Sequence, residues 1–271
     1  MRGIGGNHGV GAGVGYFLKW PLWRRLFGPK TAQGQPVAKP GLWRRLRRLL
    51  WRLCWLLVIG SVLLVAGLRG LPLPTSSVIT QHWIKTLWDS KAPSVRYAWA
   101  PYAKIAPEAA LAVLAAEDQR FPDHRGFDFI EIQNVLDEQE GGKPLRGAST
   151  ISQQVAKNLF LWPGRSFIRK GLEVWFTFLL ELLWPKQRIL EVYLNIAEFG
   201  EHTFGVEAAS RRFFNKPAAR LTGDQAARLA AVLPNPLRYR VDKPSGYVLK
   251  RQQWIERQMA QLGGIAYLDK L

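Results

Sequence analysis

From Leu53 to Leu68 the chain reads LCWLLVIGSVLLVAGL, with no charged residue. Leu49–Arg52 precede it, and the Arg52 stem can lie along apolar surface while its charge reaches the boundary. Together they reach the roughly 20 residues that cross a bilayer as a helix. In lipid every backbone polar group must be satisfied internally, so a single segment of this kind has to be helical. Arg44, Arg45, Arg47, Arg48 and Arg52 sit on one side, whereas Arg69 is the sole cation between the run and Lys85. The positive-inside rule predicts a cytoplasmic N-terminus, with everything past about residue 70 on the far side of the membrane. A cleaved signal peptide fits less well, because the basic region is far longer than such peptides carry. A buried core helix fits worse, given five arginines beside the run. The division that follows is a tail over 1–48, a spanning helix over 49–69, a linker over 70–80 and a domain over 81–271.

The charge follows that division. The net charge is +18, yet residues 1–88 hold 13 Lys and Arg and no acid, leaving 25 basic and 20 acidic residues in the remainder. Most of the excess is therefore juxtamembrane, where anionic lipid accounts for it, and nucleic acid is not an expected partner. Cys54 is the single cysteine, which excludes an intramolecular disulfide and any multi-cysteine metal site. Residues 1–40, rich in Gly and Pro, read as a flexible tail.

Beyond residue 80 the apolar spacing is helical and no period-2 alternation is sustained, so the domain is expected to be all-α or mostly so. Helices are predicted over 107–117, 149–161, 166–184, 186–197, 205–214, 222–233 and 246–262. Pro107 stands at a first-turn position, and Thr222 with Gln225 forms a capping-box pattern. The run 172–184 is apolar on nearly all sides, which predicts a central helix or one lying in the bilayer surface.

Three constellations carry possible chemistry. In LAAEDQRFPDHRGFDF (114–129), Glu117 and Asp118 close an apolar helix. The C-terminal dipole disfavours acids there, and a carboxylate against Ala and Leu should titrate high, as a general base working near neutral pH requires. The bland alternative is a solvated helix end paired with Arg120. By their chemistry His124 and Asp128 fasten the following loop, and no second ligand at recognisable spacing makes His124 a metal site. In RGASTISQQVAKNLFL (146–161), Ser149 or Thr150 caps a helix whose free N–H groups offer an anion site. Gln153, Gln154, Lys157 and Asn158 crowd its polar side, and from Arg146 to Lys170 there are five cations and no acid. That pattern fits a phosphate or diphosphate better than a solvated face, which would mix Glu with Lys. In RKGLE, Arg169 and Lys170 both reach Glu173 along one helix, either as a surface ion pair or as a carboxylate oriented beside a cationic groove. Two carboxylates with a cationic cluster suggest glycosyl transfer from a diphosphate, a leaving group that needs cations rather than a proton donor.

The ordered segments EDQRFPDHRGFD, GASTISQQVAKNLFL, RKGLE, KQRILEVYLNIAEFGEHTFGVEAASRRFF and LTGDQAARLAAVLPNP resemble the five motifs of the peptidoglycan glycosyltransferases. The resemblance is to the monofunctional biosynthetic type of Gram-negative bacteria and covers roughly residues 80–265. It implies a lysozyme-like α fold with a small membrane-proximal jaw subdomain, a catalytic domain in the periplasm, and an anchor in the inner membrane. It implies lipid II and the growing glycan strand as substrates, with other cell-wall synthesis or divisome proteins as partners. Glu117 matches the general base and Glu173 the second carboxylate. Lys157, Arg165, Arg169 and Lys170 match cations that bind diphosphate, and Ser149, Thr150, Gln153, Gln154 and Asn158 match the polar helix face beside them. Asp118, Phe121 and His124 of the first motif are placed with the substrate-binding residues. Mg²⁺ or Mn²⁺ is implied at the substrate diphosphate, with no organic cofactor and no protein residue assigned as a metal ligand. Glu191, Tyr193 and Asn195 brace the cleft from behind, and Gly200 and Gly205 permit tight turns. Ser152 stands where the family often has Thr. No Ser-x-x-Lys and no Lys-Thr-Gly occurs, so transpeptidase activity is not expected. The alternatives are a glycan-cleaving lytic transglycosylase, with no need of Lys157 or Arg165, and a non-enzymatic scaffold that binds lipid II.

Overall fold

The computed structural model describes residues 41–88, 93–142, 147–164 and 166–271. The chain divides into a unit ending at Leu53 and a unit running from Cys54 to Leu271. Within the first, the described residues are all exposed and belong to helix α1, Leu42–Gly67, which carries Arg44, Arg45, Arg47, Arg48 and Arg52. This helix is long and apolar enough to cross a membrane. It starts ahead of the predicted spanning segment because the arginine-rich turns are good helix formers.

The second unit is built from helices α2 (Ser77–Trp88), α3 (Pro107–Glu117), α4 (Phe129–Glu140), α5 (Ile151–Phe160), α6 (Phe167–Leu183), α7 (Lys186–Ile196), α8 (Val206–Phe214), α9 (Gly223–Val232) and α10 (Gly246–Gln261). A 3₁₀ segment, Gly264–Lys270, follows. The mostly helical fold is as expected, and seven of the helices fall where the spacing predicted them. Two do not. Helix α2 begins inside the stretch expected to be linker, and α4 was not foreseen, since its first-turn Phe129 and Ile130 are exposed and give no inward stripe.

There is also a small sheet. Strands β1 (Arg96–Tyr97), β2 (Glu198–Gly200) and β3 (Thr203–Phe204) lie in the order β1-β3-β2, with β1 parallel and β2 antiparallel to β3 and an irregular register between Glu198 and Gly200. Strands of two or three residues are too short to show alternation, so the sequence could not announce them.

Helix α3 is the hub. Every residue from Ala109 to Ala115 is buried, which is what a helix apolar on all sides requires. It packs against α9, α10, α7 and the terminal 3₁₀ segment, and its alanines permit close approach. The last turn of α3 delivers Glu117 from this core to the cleft. Helices α5, α6 and α7 form the opposing wall, with α5 packed on both of the others.

Helix α6 is neither central nor solvated all round. Glu173, Thr177 and Leu180 are buried, while Val174, Phe178 and Leu182 form an exposed apolar stripe at four-residue spacing. Phe167, 98% exposed, extends the stripe at the helix start. On the other side α6 and α7 hold the last turns of α1. The Trp175 Nε1 donates to Ser61 Oγ at 3.1 Å, Trp184 Nε1 to the Val65 carbonyl at 2.7 Å, and Arg188 Nη2 to the Leu68 carbonyl at 2.9 Å. Arg188 also reaches the Leu71 carbonyl. The Trp184 bond satisfies a carbonyl that the end of α1 leaves unpaired.

Gly205 shows why one turn must be glycine. Its φ is 85°, and a Cβ there would lie 2.6 Å from the Asn195 carbonyl oxygen. Asn195 in turn accepts from Ala100 N at 2.8 Å and donates to the Ala100 carbonyl at 2.9 Å, tying α7 to the segment before α3. Gly205→Ala is expected to destabilise the fold by about 2–3 kcal/mol, read as a drop in denaturation midpoint, because strain and clash add at a rigid site.

Candidate active site

The cleft is assembled by one buried carboxylate. Asp118 follows the last residue of α3, and its Oδ2 accepts from the Ile151 N–H at the start of α5 at 2.9 Å. His124 approaches the same carboxylate with Nε2, at 2.9 and 3.1 Å from its two oxygens. The Gly126 N–H donates to His124 Nδ1 at 3.2 Å, so the ring proton sits on Nε2 and is given to Asp118. Thr150 caps α5, its Oγ1 accepting from Gln153 N at 3.2 Å and donating to the Gly126 carbonyl at 2.6 Å. The Gln153 Oε1 closes the box by accepting from Thr150 N at 3.0 Å.

Several expectations change here. The N-terminus of α5 is not an open anion site, because Gln153, Asp118 and Thr150 already accept from the N–H groups of Thr150, Ile151 and Gln153. Asp118 and His124 spend their polar atoms on each other and on backbone, and Phe121 is 0% exposed under the ammonium of Lys186 at 4.3 Å from its ring. None of the three offers substrate a surface; together they frame the loop behind the cleft. Thr150 and Gln153 likewise serve the helix cap, buried. Arg120 pairs with Asp128 at 3.5 Å rather than with the acids at the end of α3, and Asp128 caps α4 through the Glu131 N–H at 3.0 Å.

On the cleft side stand Glu117 and, from α5, Gln154, Lys157 and Asn158, each half-buried. Gln154 Nε2 donates to Glu117 Oε2 at 3.1 Å, and Tyr193 Oη donates to Gln154 Oε1 at 3.3 Å from behind. Ser149 is exposed just ahead of the cap. From α6, Glu173 is 4% exposed and held by Arg169 Nη1 at 3.3 Å and Lys170 Nζ at 2.6 Å. Ser166 caps this helix through the Arg169 N–H at 3.1 Å, which fixes the turn that presents both cations. Arg165 and Arg146 lie outside the described residues.

The electrostatics join these elements into one site. Burial pushes the Glu117 carboxyl above the ordinary glutamate value, against the opposing pull of Gln154, Arg251 and Lys157, while Asp118 pushes the same way as burial. Burial lowers Lys157, and the fields of Glu173, Arg169, Lys170 and Glu117 all act on it. The Lys157 ammonium makes no hydrogen bond or ion pair among the described residues. Arg169 Nε is also buried and unpartnered, a donor without an acceptor beside Glu173.

One contributor escaped the sequence reading. Arg251, on α10, places Nη2 3.6 Å from Glu117 Oε1 and donates to the Ala116 carbonyl at 3.3 Å; its buried Nε lacks a partner. Nothing local marks Arg251, since its approach to Glu117 depends on how α10 packs on α3.

A divalent cation fits the donor set poorly. Both Glu173 oxygens face cations, and Glu117 is spanned by Gln154 and Arg251. Asp118, His124 and Asp128 do bring ligand atoms within 4.8 Å of one another. Their lone pairs are committed to the contacts just described, so they read as a structural network rather than a metal centre.

A family model described as Transglycosylase matches residues 82–260. The chain belongs to this family. It is 54% identical over 211 residues to the biosynthetic peptidoglycan transglycosylase of Chromohalobacter salexigens, covering 78% of this chain and 90% of that protein. It is 56% identical over 219 residues to the protein of the same name from Yersinia pseudotuberculosis, covering 79% and 91%. With the Pseudomonas fluorescens protein, again of that name, it shares 52% identity over 225 residues, covering 83% and 93%. The matched region of this transglycosylase family member contains both cleft carboxylates and every described cation around them.

Carbon-13 titration of glutamate side chains should find Glu117 with its midpoint above the ordinary glutamate value. Arg251→Gln should move that midpoint further up, because the guanidinium favours the charged carboxylate; no movement would remove Arg251 from the electrostatics of the site.

Proposed function

We propose that this chain polymerises peptidoglycan glycan strands from lipid II, and the observation that carries it is a half-buried carboxylate of raised pKa set opposite a cluster of cations. Glu117 takes the proton from the 4-hydroxyl of the acceptor sugar as that oxygen attacks C1 of the donor. The new O4–C1 bond forms on the face opposite the diphosphate, the C1–O bond to the diphosphate breaks, and the α-linked donor becomes a β-1,4 glycan. The leaving diphosphate departs as an anion and is stabilised by Lys157, Arg169 and Lys170, with Arg165 assigned to the same role by resemblance. The free ammonium of Lys157 and the orphan Nε of Arg169 support this reading, since an incoming phosphate supplies the acceptors they lack. Glu173 orients its two cations. Gln154 and Asn158 line the acceptor path, and Ser149 marks its rim. Any Mg²⁺ or Mn²⁺ is carried by the diphosphate, and no step depends on it.

The lipid tail of such a substrate demands a site at the membrane. The spanning helix is read as a single-pass anchor in the bacterial inner membrane, with the arginine side cytoplasmic and the catalytic domain periplasmic. The exposed stripe of α6 supports contact with lipid. Cell-wall synthesis and divisome proteins are the partners proposed for this setting.

Purified protein in detergent, incubated with labelled lipid II, should yield polymer that muramidase digests. Glu117→Gln should lower the rate by about 100-fold or more, the loss expected when a general base is removed. Lys157→Ala should lower it comparably while the fold is retained. Cleavage of preformed glycan without polymer synthesis would instead assign the lytic reaction, and lipid II binding without turnover the scaffold.

A further inference from the structure

Outside the cleft, two imidazoles meet across the fold. His82 on α2 and His202 at the turn between β2 and β3 are separated by 120 positions, yet their Nδ1 atoms lie 3.4 Å apart. Their ring planes are nearly perpendicular, at 85°. Two imidazole nitrogens bound to one tetrahedral zinc ion at about 2.0–2.1 Å each are themselves about 3.3–3.4 Å apart. The spacing of the pair is thus that of two ligands on one ion.

The backbone is committed to this placement. His202 has a φ of 54°, a left-handed conformation uncommon outside glycine. It is held there by its N–H donating to Glu198 Oε1 at 3.2 Å and its carbonyl accepting from Arg96 N at 2.8 Å. The His82 ring also packs on Phe204, with centroids 5.2 Å apart. Both rings remain half-exposed, so an ion can reach them.

We propose that His82 and His202 form a zinc-binding site that pins α2 to the β2–β3 turn, with water completing the coordination. Imidazole donors select zinc and its neighbours over Mg²⁺ and Mn²⁺, which prefer oxygen. The site shares no residue with the cleft. Its position gives it a structural consequence: α2 also reaches the end of α5, where Ser77 Oγ donates to the Leu161 carbonyl. A bound ion would therefore hold α2 at a second point, one turn beyond the Ser77 contact.

The test uses full-length protein in detergent, stripped with chelator and titrated with zinc chloride by calorimetry. His8→Ala, which removes a histidine of the N-terminal tail, serves as the control variant. Wild type and His8→Ala are expected to bind zinc alike and to gain thermal stability from it. His82→Ala and His202→Ala should each weaken binding by at least about 10–100-fold and lose the thermal gain. Cobalt added to the wild type checks the geometry without any variant, since a tetrahedral site gives intense visible absorption. Absence of zinc uptake and of that absorption would overturn the proposal and leave the pair joined by a shared proton. Unchanged zinc affinity in both histidine variants would equally overturn it, since the ion would then lie elsewhere.

Discussion

The Asp118 carboxylate is the contact on which the cleft depends. It sits at the C-terminal end of α3, where the helix dipole disfavours an acid, and simultaneously at the N-terminal end of α5, where the dipole favours one. The second effect offsets the first. Because Asp118 accepts the Ile151 N–H, the end of α3 and the start of α5 are held at hydrogen-bond distance. Glu117 and the Gln154–Lys157–Asn158 edge are then brought to one cavity. His124 holds the other side of the same carboxylate, so the loop between the helices is fixed as well.

Charge inside the cleft is arranged so that burial and pairing oppose each other. Glu117 is raised by desolvation and Lys157 is lowered by it, both toward their neutral forms. Glu173 is contacted directly by two cations. The result is one carboxylate free to exchange a proton and another committed to positioning cations. Unpaired donors on Lys157 and Arg169 leave the site short of negative charge, a deficit that an anionic ligand would fill.

The end of α1 is integrated by side chains rather than by a linker alone. Trp175, Trp184 and Arg188 bind polar atoms of the chain from Ser61 to Leu71, and the same α6 that supplies Trp175 also supplies Glu173. One helix therefore carries catalytic-cleft charge on its buried side, an exposed apolar stripe on another, and a hold on the end of α1.

The sequence alone determined the local features: the long apolar run with its arginine bias, seven helices from their apolar spacing, a cap at Ser149 or Thr150, and the ion pairs of RKGLE. Each rests on residues within a turn or two, where backbone geometry fixes what meets what. It also pointed to Glu117, because an acid at the end of an alanine-rich helix is anomalous on its own terms. Short strands and α4 were invisible, since neither carries a periodic inward stripe. Tertiary structure decided which polar residues of the first two motifs face the cleft and which are consumed by capping and by Asp118, a distinction that spacing cannot make. It alone brought Arg251 to Glu117 and His82 to His202, because contacts between residues more than a hundred positions apart depend on helix packing and not on any local pattern.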